Sequence, residues 1–158
     1  MDTVSKQRRS EIMSRVRSRD SKIEVAFRRE LWRRGFRYLK NSKRYFGTPD
    51  VVLPKHKTVI FIDSCFWHGC KKHCRIPSSR TEYWNDKINR NRNRDEIVNR
   101  YYRDTQWQII RIWEHDLKRK DFRFDFNVIG SRRFCPNSIW STFYNSLVSA
   151  THLMRRLV

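Results

Sequence analysis

No stretch of this 158-residue chain approaches the ~18 consecutive apolar residues of a membrane-spanning helix. The opening Met1-Asp2-Thr3-Val4-Ser5-Lys6 lacks the apolar core of a secretory signal. Neither a lipidation motif nor a long basic amphipathic segment points to a membrane surface. Internal repeats and low-complexity linkers are missing as well. Acidic residues are scarce, 16 against 36 lysines and arginines, which leaves a formal net charge of +20. Such an excess repels itself in a compact state, so an anionic partner is expected. Cysteines number four, with Cys65, Cys70 and Cys74 close together and Cys135 alone. That spacing suits metal ligation better than a disulfide framework, and with it a reducing compartment, the cytoplasm.

Aromatic residues, at 14%, are plentiful for so charged a chain and argue against disorder. Basic residues and aromatics together favour nucleic acid over other anions, since rings can stack on bases or wedge between them. The length suits one domain with a modest core. Residues 5–17 read as a basic helix with Ile12, Met13 and Val16 on one face. Ser21-Lys22-Ile23-Glu24 has the form of a capping box opening a helix that Gly35 ends. Arg37–Leu39, Asp50–Leu53 and Thr58–Asp63 read as strands, the last two a hairpin across Pro54–Lys57. A long helix is predicted from Thr81 to about Tyr102. Its stripe of Trp84, Ile88, Asn91, Asp95, Val98 and Tyr102 is interrupted by two polar residues. Trp107–Trp113, an apolar run with only Arg111 charged, suits an inner strand. Trp140, Phe143, Leu147, Ala150, Met154 and Leu157 form a further amphipathic stripe, for core packing or a dimer seam.

The densest chemistry lies in Val59–His73. There an apolar strand runs into Asp63, then Cys65, Phe66, Trp67, His68, Cys70 and His73. Upstream, Gly47-Thr48-Pro49-Asp50 places a second acid at the start of the preceding strand. Two carboxylates on neighbouring strands, with a histidine near, suggest a magnesium-type site for phosphodiester chemistry. His68 suits proton handling near neutrality, with zinc ligation or core packing as alternatives. Cys65-x4-Cys70-x2-His73 offers three zinc-type ligands and His115 a fourth, with Cys74 a rival for His73. Asp95 is either a salt-bridge partner of an arginine or a carboxylate fixing the His68 ring.

Five segments, in order over roughly residues 5–120, resemble the very-short-patch repair (Vsr) mismatch endonucleases. They are Arg9–Asp20, Gly47–Asp50, Asp63–His68, Tyr83–Ile88 and Ile112–His115. The resemblance implies an α/β domain of the restriction-endonuclease, PD-(D/E)xK type: a central mixed sheet flanked by helices, with a structural zinc site. It would span residues 1–120 with a basic arm at 1–20, and residues 121–158 would be a divergent extension packed on the same domain. The implied reaction is Mg²⁺-dependent nicking of one DNA strand 5′ to the T of a T:G mismatch, initiating repair of deaminated 5-methylcytosine. By the same resemblance Asp50 and the Ile62 carbonyl hold Mg²⁺, while Asp63 and His68 handle protons. Asp63 serves either as a direct ligand or to orient water. Asp95 and Glu24 lie near them, and Cys65, Cys70, His73 and His115 hold Zn²⁺. Phe66, Trp67 and Trp84 enter beside the mismatch from the major groove, and Met13 wedges from the minor groove. Arg15 and Arg17 of the arm, with Arg90, Arg92 and Arg94, track phosphates. A monomer is expected, with mismatch-repair proteins and a repair polymerase acting nearby. Ser64, Gln106 and Ser78-Ser79-Arg80 depart from the usual pattern, and the tail is foreign to it. A related restriction-type or mobile-element nuclease cutting matched DNA, and a non-catalytic zinc-stabilised DNA-binding module, are the alternatives.

Overall fold

The computed structural model describes residues 5–14, 20–78, 80–118 and 124–130, without the side chains of Lys6, Arg9, Ile12 and Met13. The Met13 wedge, Arg15, Arg17, Cys135 and the stripe from Trp140 to Leu157 therefore lie outside the described residues. In chain order the elements are α1 (Lys6–Ser14), α2 (Lys22–Arg33), β1 (Leu39–Lys40), β2 (Val51–Leu53) and β3 (Thr58–Asp63). After them come α3 (Thr81–Asp104), β4 (Gln108–Trp113) and the short α4 (Glu114–Leu117). The strands form one mixed sheet in the order β1-β2-β3-β4, antiparallel except for the parallel β3–β4 pair. The first predicted strand is shifted, to Leu39–Lys40.

Local chemistry explains the boundaries. Pro54 opens a single 3-10 turn, and Lys57, at φ 46, reverses the chain into β3. Parallel pairing of β3 with β4 needs a long crossover, which residues 64–107 supply with α3. Ser21 Oγ accepts from the Glu24 N–H at 3.3 Å, capping α2 as predicted. The Glu24 carboxylate reaches back to the Asp20 N–H at 3.0 Å, one residue before the cap, so the box closes on Asp20. Gly35, at φ +87, allows the Phe36 N–H to reach the Leu31 carbonyl and end the helix.

Helices cover both faces of the sheet. Phe27 and Leu31 of α2 pack with Val51, Leu53, Ile60 and Ile112 on one side. Val98 and Tyr102 of α3 pack with Val52, Val59 and Phe61 on the other. Each fully buried side chain of this kind stabilises the fold by about 1.5–3 kcal/mol. Among the described residues β4 is an edge strand rather than an inner one. Its apolar character follows from cover on both faces, which an inner position would also have produced. Phe126 and Ile129 join the α2-side core.

Candidate active site

Asp50 stands immediately before β2, where the antiparallel register aligns Val51 with Ile60. Its Oδ2 accepts from the Ile62 N–H across the hairpin at 2.7 Å. Burial pushes the Asp50 carboxyl up to about 6 despite that hydrogen bond, and the Glu24 and Asp63 carboxylates push it the same way. Three acids thus converge from α2, β2 and β3. Glu24 therefore helps cap its helix and also faces the acidic cluster. Arg28, buried on the apolar side of α2, pairs with Asp20 and, at 3.4 Å, with Glu24.

A second network meets the end of β3. His68 Nδ1 lies 2.6 Å from Asp95 Oδ2. The other oxygen of Asp95 is 2.8 Å from Arg111 Nη2. Arg111 also grips Asp63 through two bonds of 2.6 Å, one to each carboxylate oxygen. Burial alone would raise Asp95, but the His68 bond and the Arg111 charge hold it below the usual carboxylate range. Both polar interruptions of the α3 stripe are thereby explained. Asp95 turns into this network, and Asn91 donates to the Trp67 carbonyl at 2.9 Å.

Arg92, assigned by sequence to phosphate tracking, also donates to the Gly69 carbonyl at 2.6 Å. Gly69 sits at φ +63, and a Cβ there would meet Ile88 Cγ2 at 2.8 Å as well as the Arg92 guanidinium. Gly69→Ala is expected to cost about 1–3 kcal/mol through left-handed backbone strain. Displacement of the His68–Cys70 loop should lower DNA nicking with it. A thermal melt checks this, and an unchanged midpoint would remove the assigned constraint.

Cys65, Cys70, His73 and His115 bring one donor atom each to within 4.8 Å of one another. Cys65 Sγ is 3.1 Å from His115 Nδ1, and Cys70 Sγ is 3.6 Å from His73 Nδ1. A tetrahedral zinc with bonds of about 2.3 Å to sulfur and 2.0–2.1 Å to nitrogen separates its donors by roughly 3.3–3.8 Å. The donor types and their spread of 3.1–3.9 Å across the four sulfur–nitrogen pairs suit such an ion after shifts of a few tenths of an ångström. Cys74 stands apart, with Sγ 3.7 Å from the Phe66 carbonyl. Without an ion, burial, with Cys70 beside it, pushes the Cys65 thiol up to about 12. The Cys65 N–H also donates to Glu114 Oε1 at 3.0 Å, tying the loop to the end of β4.

Between the two clusters Phe66, Trp67 and Trp84 pack edge to face. The Phe66 ring is centred 5.0 Å from Trp67 and 5.3 Å from Trp84, and Lys87 Nζ lies 5.2 Å over Trp67. All three are half-buried rather than fully exposed. Sequence reasoning named Asp50, Asp63, His68, Asp95 and Glu24, and all five lie in these two networks. It missed Arg111 and Arg28 as members. The available signal for Arg111 was the one charge inside a largely apolar strand.

Residues 1–75 match the family model described as DNA mismatch endonuclease Vsr. A type II nicking enzyme of Neisseria meningitidis serogroup A is 43% identical over 121 residues, covering 75% of this chain and 86% of that protein. A type II nicking enzyme of Haemophilus parainfluenzae is 35% identical over 132 residues, covering 81% of this chain and 93% of that protein. The DNA mismatch endonuclease Vsr of Escherichia coli K12 is 31% identical over 123 residues, covering 76% of this chain and 78% of that protein.

Proposed function

Because the chain belongs to the DNA mismatch endonuclease Vsr family and is thereby a DNA endonuclease, we propose that it nicks one strand 5′ to the T of a T:G mismatch. The observation that carries the site assignment is the convergence of Asp50, Glu24 and Asp63 beside a carboxylate-bound histidine. A buried acid raised by neighbouring carboxylates favours a hard divalent cation with oxygen ligands, and Asp50 with the Ile62 carbonyl would hold Mg²⁺ there. When bound, the ion supplies charge that polarises the phosphate and makes bound water a better nucleophile. Asp95 fixes the His68 ring, so that a proton on Nδ1 leaves Nε2 to accept one. Cys65, Cys70, His73 and His115 would hold structural Zn²⁺. The half-buried Phe66–Trp67–Trp84 cluster is suited to enter a weakly paired step, where unstacking costs least. On this reading the sheet is of the PD-(D/E)xK type, Phe126 and Ile129 belong to an extension packed on the nuclease domain, and the protein acts as a monomer on chromosomal DNA. A nick leaving a 5′-phosphate and an extendable 3′ end suits a repair polymerase, alongside mismatch-repair proteins.

The test is strand cutting of labelled duplexes carrying T:G or matched C:G in the same flanks, with Mg²⁺. Cutting of the T strand alone supports the proposal. Equal cutting of both duplexes would support the restriction-type reading. DNA affinity should fall about 10²- to 10³-fold between 50 and 200 mM salt, if exposed Lys71, Lys72, Arg75, Arg90 and Arg94 supply most of the phosphate contacts. A flat salt response in a filter-binding or anisotropy titration contradicts that surface.

A further inference from the structure

Arg111 is the one charged residue in β4 and its side chain is only 11% exposed. The parallel register sets it opposite Phe61, and its guanidinium lies 5.1 Å over the Phe61 ring. From there it reaches Asp63, two residues further along β3, with a two-point grip. The same Nη2 meets Asp95, and Nη1 is 3.4 Å from Asn99 Oδ1. One planar fork therefore binds carboxylates from a strand and from a helix, and the helical carboxylate carries the imidazole. Asp63, by contrast, stays 3.8 Å from His68 Nδ1. We propose that Arg111 is a positioning residue of the nuclease, that its fork sets Asp95 and through it the His68 ring, and that Asp63 anchors this fork instead of binding the metal. The inference rests on the assignment of His68 as the proton-handling group. A guanidinium is needed because five donors in a fixed plane can serve two carboxylates at once, whereas an ammonium is a point charge on a flexible stem.

Arg111→Lys keeps the charge and the fold while removing the fork. It is expected to lower kcat for nicking about 10–100-fold with KM for DNA within about twofold, the scale seen when a partner that orients a metal-site histidine is lost. Wild-type kcat, or a loss confined to KM, overturns the proposal. Asp63→Asn leaves an acceptor for Arg111 and should lower kcat no further than Arg111→Lys does, with unchanged Mg²⁺ half-saturation. Loss as complete as in Asp50→Asn, or a raised Mg²⁺ requirement, would make Asp63 a ligand and overturn the proposal as well. Histidine ¹H–¹⁵N spectra give a readout independent of cutting. Wild type should show His68 protonated at Nδ1, and Arg111→Lys should lose that single tautomer. A fixed Nδ1–H in the variant defeats the proposal even if the protein cuts no DNA, while absence of cutting by wild type counts against the nuclease assignment alone.

Discussion

Asp50→Asn is expected to abolish nicking and, without divalent metal at neutral pH, to raise the melting temperature. Both effects have one cause. Burial and the Glu24 and Asp63 charges push the Asp50 carboxyl up to about 6, so the fold prefers it protonated. A carboxyl raised in the folded state binds more protons there than in the unfolded chain. Its contribution to stability is therefore fully present at low pH and is lost as pH rises from the unfolded value near 4 through about 6. The shift of about 2 units corresponds to about 3 kcal/mol of penalty at neutral pH. For a chain of this size that is roughly 6–10 °C in melting temperature. Asparagine keeps an oxygen to accept from the Ile62 N–H and carries no charge, so it escapes the penalty. Melts of both proteins at pH 7.5 and pH 4.5 check this. The difference should shrink to about a third at the lower pH, and Mg²⁺ should stabilise only the wild type. A variant less stable than wild type at pH 7.5, or one that still nicks, contradicts the assignment of Asp50.

Removing metal from the Cys/His cluster should have the other large effect. Structural zinc sites contribute on the order of 10 kcal/mol in small zinc-dependent domains. Purified protein is expected to carry one equivalent of zinc, and stripping it with a strong chelator should lower the melting temperature by more than 10 °C, by the same scaling. Nicking should be lost in parallel, because His68 lies between Cys65 and Cys70 on the same loop. Zinc must displace the protons of thiols such as Cys65, which burial pushes up to about 12, so uptake should release protons and weaken as pH falls. Cys70→Ser should lower zinc content as well as stability. Elemental analysis beside the melts decides the matter: metal-free protein of undiminished stability would leave the four donors without the expected ion.

The site was legible where short-range pattern and chemistry coincide. Pro49-Asp50 precedes an apolar strand, and Cys65 through His73 carries its ligand types in one compact stretch. Asp95 was legible because a polar residue on an apolar helix stripe demands a partner. The identity of that partner was less so. His68 was among the candidates, but Arg111 comes from β4, and nothing local to Asp63 or Asp95 announces that a strand 48 residues beyond Asp63 will lie beside them. The edge position of β4 among the described residues went unread for a similar reason. An edge strand covered on both faces and an inner strand have the same apolar pattern, so hydropathy does not distinguish them. Arg92 shows the converse: in a run of basic residues only tertiary structure picks the one whose guanidinium closes over a glycine carbonyl.

The separation of the parts along the chain governs when they come together. Asp50 and the Ile62 N–H meet across a short hairpin, an early and nearly local event. His115 and Arg111 reach Cys65 and Asp63 only after the long crossover has closed and β4 has paired beside β3. Closing that span costs chain entropy that the local hairpin does not. A nascent chain that has emerged only as far as α3 would thus hold Asp50 beside Ile62, yet have neither the fourth metal donor nor the guanidinium between its acids. Such a chain could already be basic enough to cling to DNA, while its ability to break a strand would arrive only with the final strand of the sheet.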